Sequence, residues 1–179
     1  MIDATRELLR EHGFAGVTIE AVSALSGVAK TTIYRQWADR DHLLLDSCAA
    51  AKGSVVVHDT GDLRADLVAG LRMLAGVLTA GDLAALFPAM IEASERSPEF
   101  RALNEVHLAE NRAPLRDRLR IAVKRGELKP GVDLETLMAV LAGPLFYRRL
   151  IVRHSLSKSF VDDLVDLVLS GAGSGGSGQ

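Results

Sequence analysis

Only one run in this chain, Ser54–His58 (SVVVH), has the β-branched density of a strand. A lone strand has no partner for its backbone hydrogen bonds, so it cannot found a sheet and reads as a connector. Elsewhere apolar residues recur at three- and four-residue spacing, the period of helices that bury one stripe. The chain is therefore expected to be all-α. Its 179 residues can bury a sizeable core. No run reaches the roughly 20 apolar residues of a membrane span. Met1–Arg10 alternates charged and apolar residues, unlike a secretion signal, so no membrane partner and a cytoplasmic location are expected.

Caps and breakers divide the helical pattern. Ile2–His12 places Ile2, Thr5, Leu8 and Leu9 on one face and closes at Gly13. Thr18 is a good N-cap for a second helix with Ile19, Val22 and Leu25 inward. Ser26-Gly27 makes a tight turn, and a third helix covers about Ala29–Gln36. Asp39 caps a fourth that carries Leu43, Leu44 and Leu45. Longer helices are expected over Asp62–Leu78, Asp82–Glu95, from Ser97-Pro98 to Arg125, from Asp133 to Arg153, and over Ser159–Leu169. The organisation that follows is a helix-turn-helix domain at 1–53, a larger helical domain at 54–170, and a flexible Gly/Ser tail at 171–179.

The third helix carries the chemistry. On a helical wheel Ala29, Ile33 and Trp37 share a narrow apolar stripe, with Thr31 and Arg35 opposite. Lys30 and Tyr34 flank one edge, Thr32 and Gln36 the other, and the outward side of this helix has no carboxylate. A helix of this length is about 12 Å long and fits a B-DNA major groove about 12 Å wide. Arg35 can fork onto a guanine, and Thr31 and Thr32 can meet base edges or a thymine methyl. Lys30, Tyr34 and Arg40 suit phosphates, which set register, and Thr18 can present a hydroxyl at a helix N-terminus. The chain as a whole does not coat nucleic acid by bulk charge. Its net charge is −2, and residues 1–53 hold six Lys/Arg against seven Asp/Glu.

Enzyme signatures are missing. None of His12, His42, His58, His107 and His154 pairs with another at i, i+4, and no HExxH, GxSxG or phosphate-binding loop occurs. The residues three before those histidines are Leu9, Asp39, Val55, Asn104 and Ile151, so no Glu-x-x-His pair exists for a helical metal site. The single cysteine, Cys48, excludes an internal disulfide. No catalytic residue, metal ligand or cofactor is assigned.

The stretch GFAGVTIEAVSALSGVAKTTIYRQWADRDHLLLDS, with Gly13-Phe14, Thr18, Gly27-Val28, Thr32-Ile33-Tyr34 and Trp37, resembles the DNA-binding domain of TetR/AcrR-family transcriptional regulators. APLRDRLRIAVKRGELKPGVDLETLMAVLAGPLFYRRL is similar to the C-terminal domain of one subgroup of that family. Arg40 stands where the family usually has a phosphate-binding lysine. Two features depart from the pattern. The basic arm common before the first helix is not seen ahead of Met1-Ile2-Asp3, and Ala29 occupies a place often held by a capping Ser or Thr.

The resemblance implies a homodimer on a near-palindromic, double-stranded operator, acting most often as a repressor that a small-molecule effector releases. The sequence offers two apolar stripes on the last helix, Val161/Val165/Val168 and Phe160/Leu164/Leu167, and a strongly apolar helix before it. Leu141, Leu145, Val161, Leu164, Val165 and Val168 are the dimerisation candidates. Pro88, Pro114 and Pro144 interrupt helical patterns and can open space between helices. The family places an effector pocket in such a space, and Leu71, Leu74, Phe87, Met90, His107, Asn111 and Tyr147 are its candidate lining. Two other readings stay open: a DNA-binding protein that needs no effector, and a helical module whose helix-turn-helix contacts protein.

Overall fold

The computed structural model describes residues 1–52, 57–79 and 81–173. Among them, nine α-helices follow in order: α1 (Ile2–Gly16), α2 (Ile19–Ser26), α3 (Lys30–Gln36), α4 (Arg40–Lys52), α5 (Leu63–Thr79), α6 (Gly81–Arg96), α7 (Pro98–Lys124), α8 (Leu134–Phe146) and α9 (Lys158–Ala172). A π-helical turn, Tyr147–Ile151, continues α8. The β-like run lies mostly outside the described residues, and Val57 and His58 have no regular structure.

The helix ends are where short polar side chains put them. Thr18 Oγ1 accepts from the Ala21 N–H at 3.0 Å, and Asp39 Oδ1 from His42 N–H at 2.9 Å. Asp62 caps α5 through Ala65 N–H at 3.0 Å, and Ser97 caps α7 through Phe100 N–H at 3.0 Å. Asp133 and Ser157 do the same for α8 and α9. Each satisfies a donor that the first helical turn leaves unpaired. Gly13 takes φ +66°, where an L side chain is strained, and interrupts helical geometry inside α1. Pro88, Pro114 and Pro144 sit inside α6, α7 and α8.

Two compact units result. The first comprises Met1–Gly53 and Ala80–Ala109, the second Ser54–Thr79 and Glu110–Gln179. A single cut at residue 53 therefore does not describe the packing, because Ala80–Ala109 gathers with the N-terminal helices. In the first unit Leu8, Leu9, Val17, Val22, Ile33, Leu43 and Leu44 are buried with Met90 and Phe100. The Phe14 ring meets Phe100 edge-on, centroids 5.3 Å apart. Leu25, expected inward, is 47% exposed. In the second unit Leu67, Leu71, Leu78, Leu119, Leu128, Leu141, Leu145 and Val165 form the core. The tail begins later than the composition suggests. Gly171 and Ala172 finish α9, and Gly173 bridges to Leu128.

One ion group lies within the second core. Arg118, with 1% of its side chain exposed, donates from Nε to Asp66 Oδ2 at 2.6 Å and from Nη1 to Glu127 Oε2 at 3.0 Å. The Thr60 hydroxyl donates to Asp66 at 2.6 Å. Burial pushes the Asp66 carboxyl up, but the Thr60 and Arg118 donors outweigh it and hold it below its ordinary value. A carboxylate depressed in this way stabilises the fold above its unfolded pKa. The contribution is lost as pH falls through the folded value. Asp66→Asn is thus expected to lower the unfolding free energy by roughly 3–5 kcal/mol at neutral pH, the typical cost of breaking a buried pair. The gap from the parent should narrow as pH falls below the ordinary carboxylate range toward the depressed folded value, where the parent carboxyl protonates as well; denaturant unfolding across pH measures both.

Candidate nucleic-acid interface

Helix α3 has seven residues and is about 10 Å long. The turn before it depends on Gly27, at φ +69° in the left-handed region that ends α2. Ser23 Oγ donates to Val28 O at 2.8 Å and closes the turn from the α2 side. Two side chains seat the helix: Ile33 is fully buried and Trp37 is 6% exposed. The Trp37 indole N–H donates to Asp46 Oδ2 on α4 at 2.8 Å. Ala29, expected on the same stripe, is exposed. It is the N-cap residue with ψ 140°, so its Cβ does not follow the helical wheel, and it makes no side-chain cap.

The other side of α3 faces solvent. Lys30, Thr31, Tyr34, Arg35 and Gln36 are exposed and Thr32 is partly so. Thr18 is exposed as well, with its oxygen already engaged as the α2 cap. The helix itself carries no acid, but α2 supplies one: Glu20 Oε1 lies 2.8 Å from Lys30 Nζ. The Lys30 hydrogen bond lowers the Glu20 carboxyl and, reciprocally, raises the Lys30 ammonium, so both are charged. Linear spacing gave no hint of this pair because it crosses the turn.

Arg40 corrects an expectation. Read as a phosphate contact, it is instead turned into the protein. Its Nε donates to the Val17 carbonyl and its Nη2 to the Phe14 carbonyl. Nη1 pairs with Asp41 at 3.0 Å. The guanidinium also stands over the Phe14 ring, 4.8 Å from its centroid. Two of the three nitrogens, Nε and Nη2, thus brace the end of α1 against the start of α4.

The effector candidates divide between the units: Phe87, Met90 and His107 in the first, Leu71, Leu74, Asn111 and Tyr147 in the second. His107 Nε2 lies 3.9 Å from Asp46 Oδ1, whereas Tyr147 is 59% exposed. The dimerisation candidates need a second correction. Leu141, Leu145, Val161, Leu164, Val165 and Val168 are all buried within the single chain, so they build its own core and offer no face to a second copy. The apolar groups left in solvent on α8, the π turn and α9 are Val140, Tyr147, Ile151, Val152 and Leu167.

Residues 1–46 match the family model described as bacterial regulatory proteins, tetR family. Residues 57–168 match the one described as tetracyclin repressor-like, C-terminal domain. The chain belongs to the tetR family. It is 34% identical over 166 residues to the DNA-binding transcriptional repressor TetR of Mycobacteroides abscessus, spanning 91% of this chain and 86% of that one. It is 29% identical over 167 residues to the uncharacterized HTH-type transcriptional regulator YdeS of Bacillus subtilis, spanning 92% and 84%. Among solved structures, the TetR family transcription regulator SCO0332 superposes with a TM-score of 0.78 at 35% identity over 96% of this chain and 95% of that one. Bacillus subtilis FadR, crystallised with stearoyl-CoA, shares the fold with a TM-score of 0.75 at 19% identity over 95% and 96%. As a tetR-family member this is a helix-turn-helix, DNA-binding transcriptional regulator. No described helix is long and apolar enough to cross a membrane.

Arg35 and Arg40 should separate cleanly in a stability measurement. Arg40→Ala removes a charged donor from two carbonyls and is expected to cost about 1.5–3 kcal/mol of unfolding free energy. Arg35→Ala, a change on an exposed helix face, should stay within about 0.5 kcal/mol of the parent. Thermal unfolding of the two variants side by side reads the difference.

Proposed function

We propose that this regulator represses transcription by laying α3 in the major groove of a near-palindromic operator, as a homodimer, and lets go when a small molecule binds. The observation that carries the reading is the two-sided α3. Ile33 and Trp37 tie one side to the domain, while Lys30, Thr31, Tyr34, Arg35 and Gln36 face solvent on the other. In this docking Arg35 reads a guanine through O6 and N7, Thr31 and Thr32 meet neighbouring base edges, and Tyr34, Gln36 and Thr18 set register on phosphates.

Repression follows the name of the Mycobacteroides abscessus relative. Effector release follows the fold, which in Bacillus subtilis FadR holds stearoyl-CoA. Binding of a ligand that prefers one conformation shifts the population away from the DNA-competent one. Dimerisation follows from the exposed apolar residues of the second unit. Thr136, Ala139, Val140, Gly143 and Tyr147 recur at three- and four-residue spacing and are all exposed, a face suited to close helix packing. Two recognition helices held by such a dimer reach half-sites about 34–36 Å apart or a multiple of that.

Selection of bound sequences from random duplexes should return a two-fold symmetric motif with that spacing; an asymmetric or featureless pool would overturn the docking. Arg35→Ala should lose discrimination at one base position per half-site by about 1–3 kcal/mol and leave the other positions as they were. Val140→Asp is expected to convert the dimer to monomer in sedimentation and to weaken operator binding by roughly tenfold or more, because a buried charge at a close-packed interface is strongly unfavourable.

A further inference from the structure

The free recognition helix already holds a carboxylate. Glu20 is in the first turn of α2, two residues after the Thr18 cap. Its Oε1 accepts from Lys30 Nζ at 2.8 Å, and both side chains remain more than half exposed. An ammonium at the edge of the reading face is a donor that a DNA phosphate seeks. The geometry points to Glu20 as an internal competitor for a DNA phosphate: its carboxylate occupies the Lys30 ammonium, and a duplex must displace it to recruit that donor.

The consequence follows from charge. Paired with Glu20, Lys30 brings no net positive charge to the DNA, although it stands at the edge of the reading face. Phosphate contacts supply the affinity that ignores sequence. A carboxylate that withholds one such contact lowers binding to all duplexes alike and leaves base readout by Arg35 untouched. Without such an acid, a recognition helix that carries Lys30 and Arg35 and no carboxylate of its own would hold any duplex more tightly. Glu20 thus sets the general component of affinity, and α3 sets the specific one.

This reading rests on α3 being the surface that meets DNA, and the experiment keeps the two apart. Binding of the full chain to a mixed-sequence duplex is titrated over a range of salt for the parent, Glu20→Gln, Lys30→Gln and the double variant. Glu20→Gln is expected to bind roughly fivefold tighter at low salt, the scale of one ion pair in water. Its plot of log affinity against log salt should steepen by about 0.9, the value of one added phosphate contact. Lys30→Gln should weaken binding more in the Glu20→Gln background than in the parent, since only there is the lysine free. Equal cost in both backgrounds, or a Glu20→Gln variant with the parent's affinity and slope, overturns the proposal. Glu20→Ala supplies the same cycle if the glutamine variant folds poorly, with thermal unfolding as the check. Arg35→Ala, run alongside on the selected operator, reports on the docking itself. If it loses affinity while the Glu20 cycle is additive, the competitor fails and the docking stands. If neither responds, both fail.

Discussion

A helix of seven residues does not hold its shape in water by itself. Nucleating it fixes several backbone torsions for very few hydrogen bonds, and isolated helices below about 12–15 residues are marginal. The outward face of α3 therefore exists only because Ile33 and Trp37 are fixed in a core built by α1, α2 and α4. Asp46 adds direction to that attachment by taking the indole N–H. The supports are nested. Arg40 ties the end of α1 to the start of α4, and Phe100, from α7, closes on Phe14. The face proposed to meet the duplex is short and polar. Its precision comes from the apolar and cationic groups packed behind it.

The helices and their ends were largely legible in the sequence because the physics is local. Thr18, Asp39, Asp62, Ser97 and Asp133 cap within three residues of themselves, and Gly13 and Gly27 adopt the positive φ that only glycine takes at little cost. The polar face of α3 was legible for the same reason. One failure was a local boundary, and the rest were non-local. Ala29 left the stripe because a wheel does not apply to a residue outside the helix. Arg40 shows no sequence sign of turning inward, since its acceptors are the carbonyls of Phe14 and Val17, more than 20 positions away. The valines of α9 read equally well as an interface or as a core, and only the position of α5 against them decides for the core. Asp46 and Glu20 were missed because each acts across a turn on a residue of another helix.

The second unit shows the same contrast between surface and interior charge. Arg64 forks onto Asp166 and Arg125 onto Asp59, while Arg72 donates from Nη2 to both oxygens of Asp162, all at the surface. Such pairs are individually worth little in water. They do fix register: Arg64 and Arg72, two turns apart on α5, meet Asp166 and Asp162, one turn apart and in reverse order on α9, so the helices are keyed antiparallel. Arg118 is different, because Asp66 is buried with it and the low-dielectric surroundings make either member costly when unpaired.

The chain has one tryptophan, and it is Trp37. Its indole sits at the C-terminal end of the recognition helix, away from solvent, with its N–H on a carboxylate. Indole emission is sensitive to just those surroundings. The protein thus carries its own optical probe at the junction between the reading helix and its support, and any event that unseats that helix is visible in the unlabelled molecule.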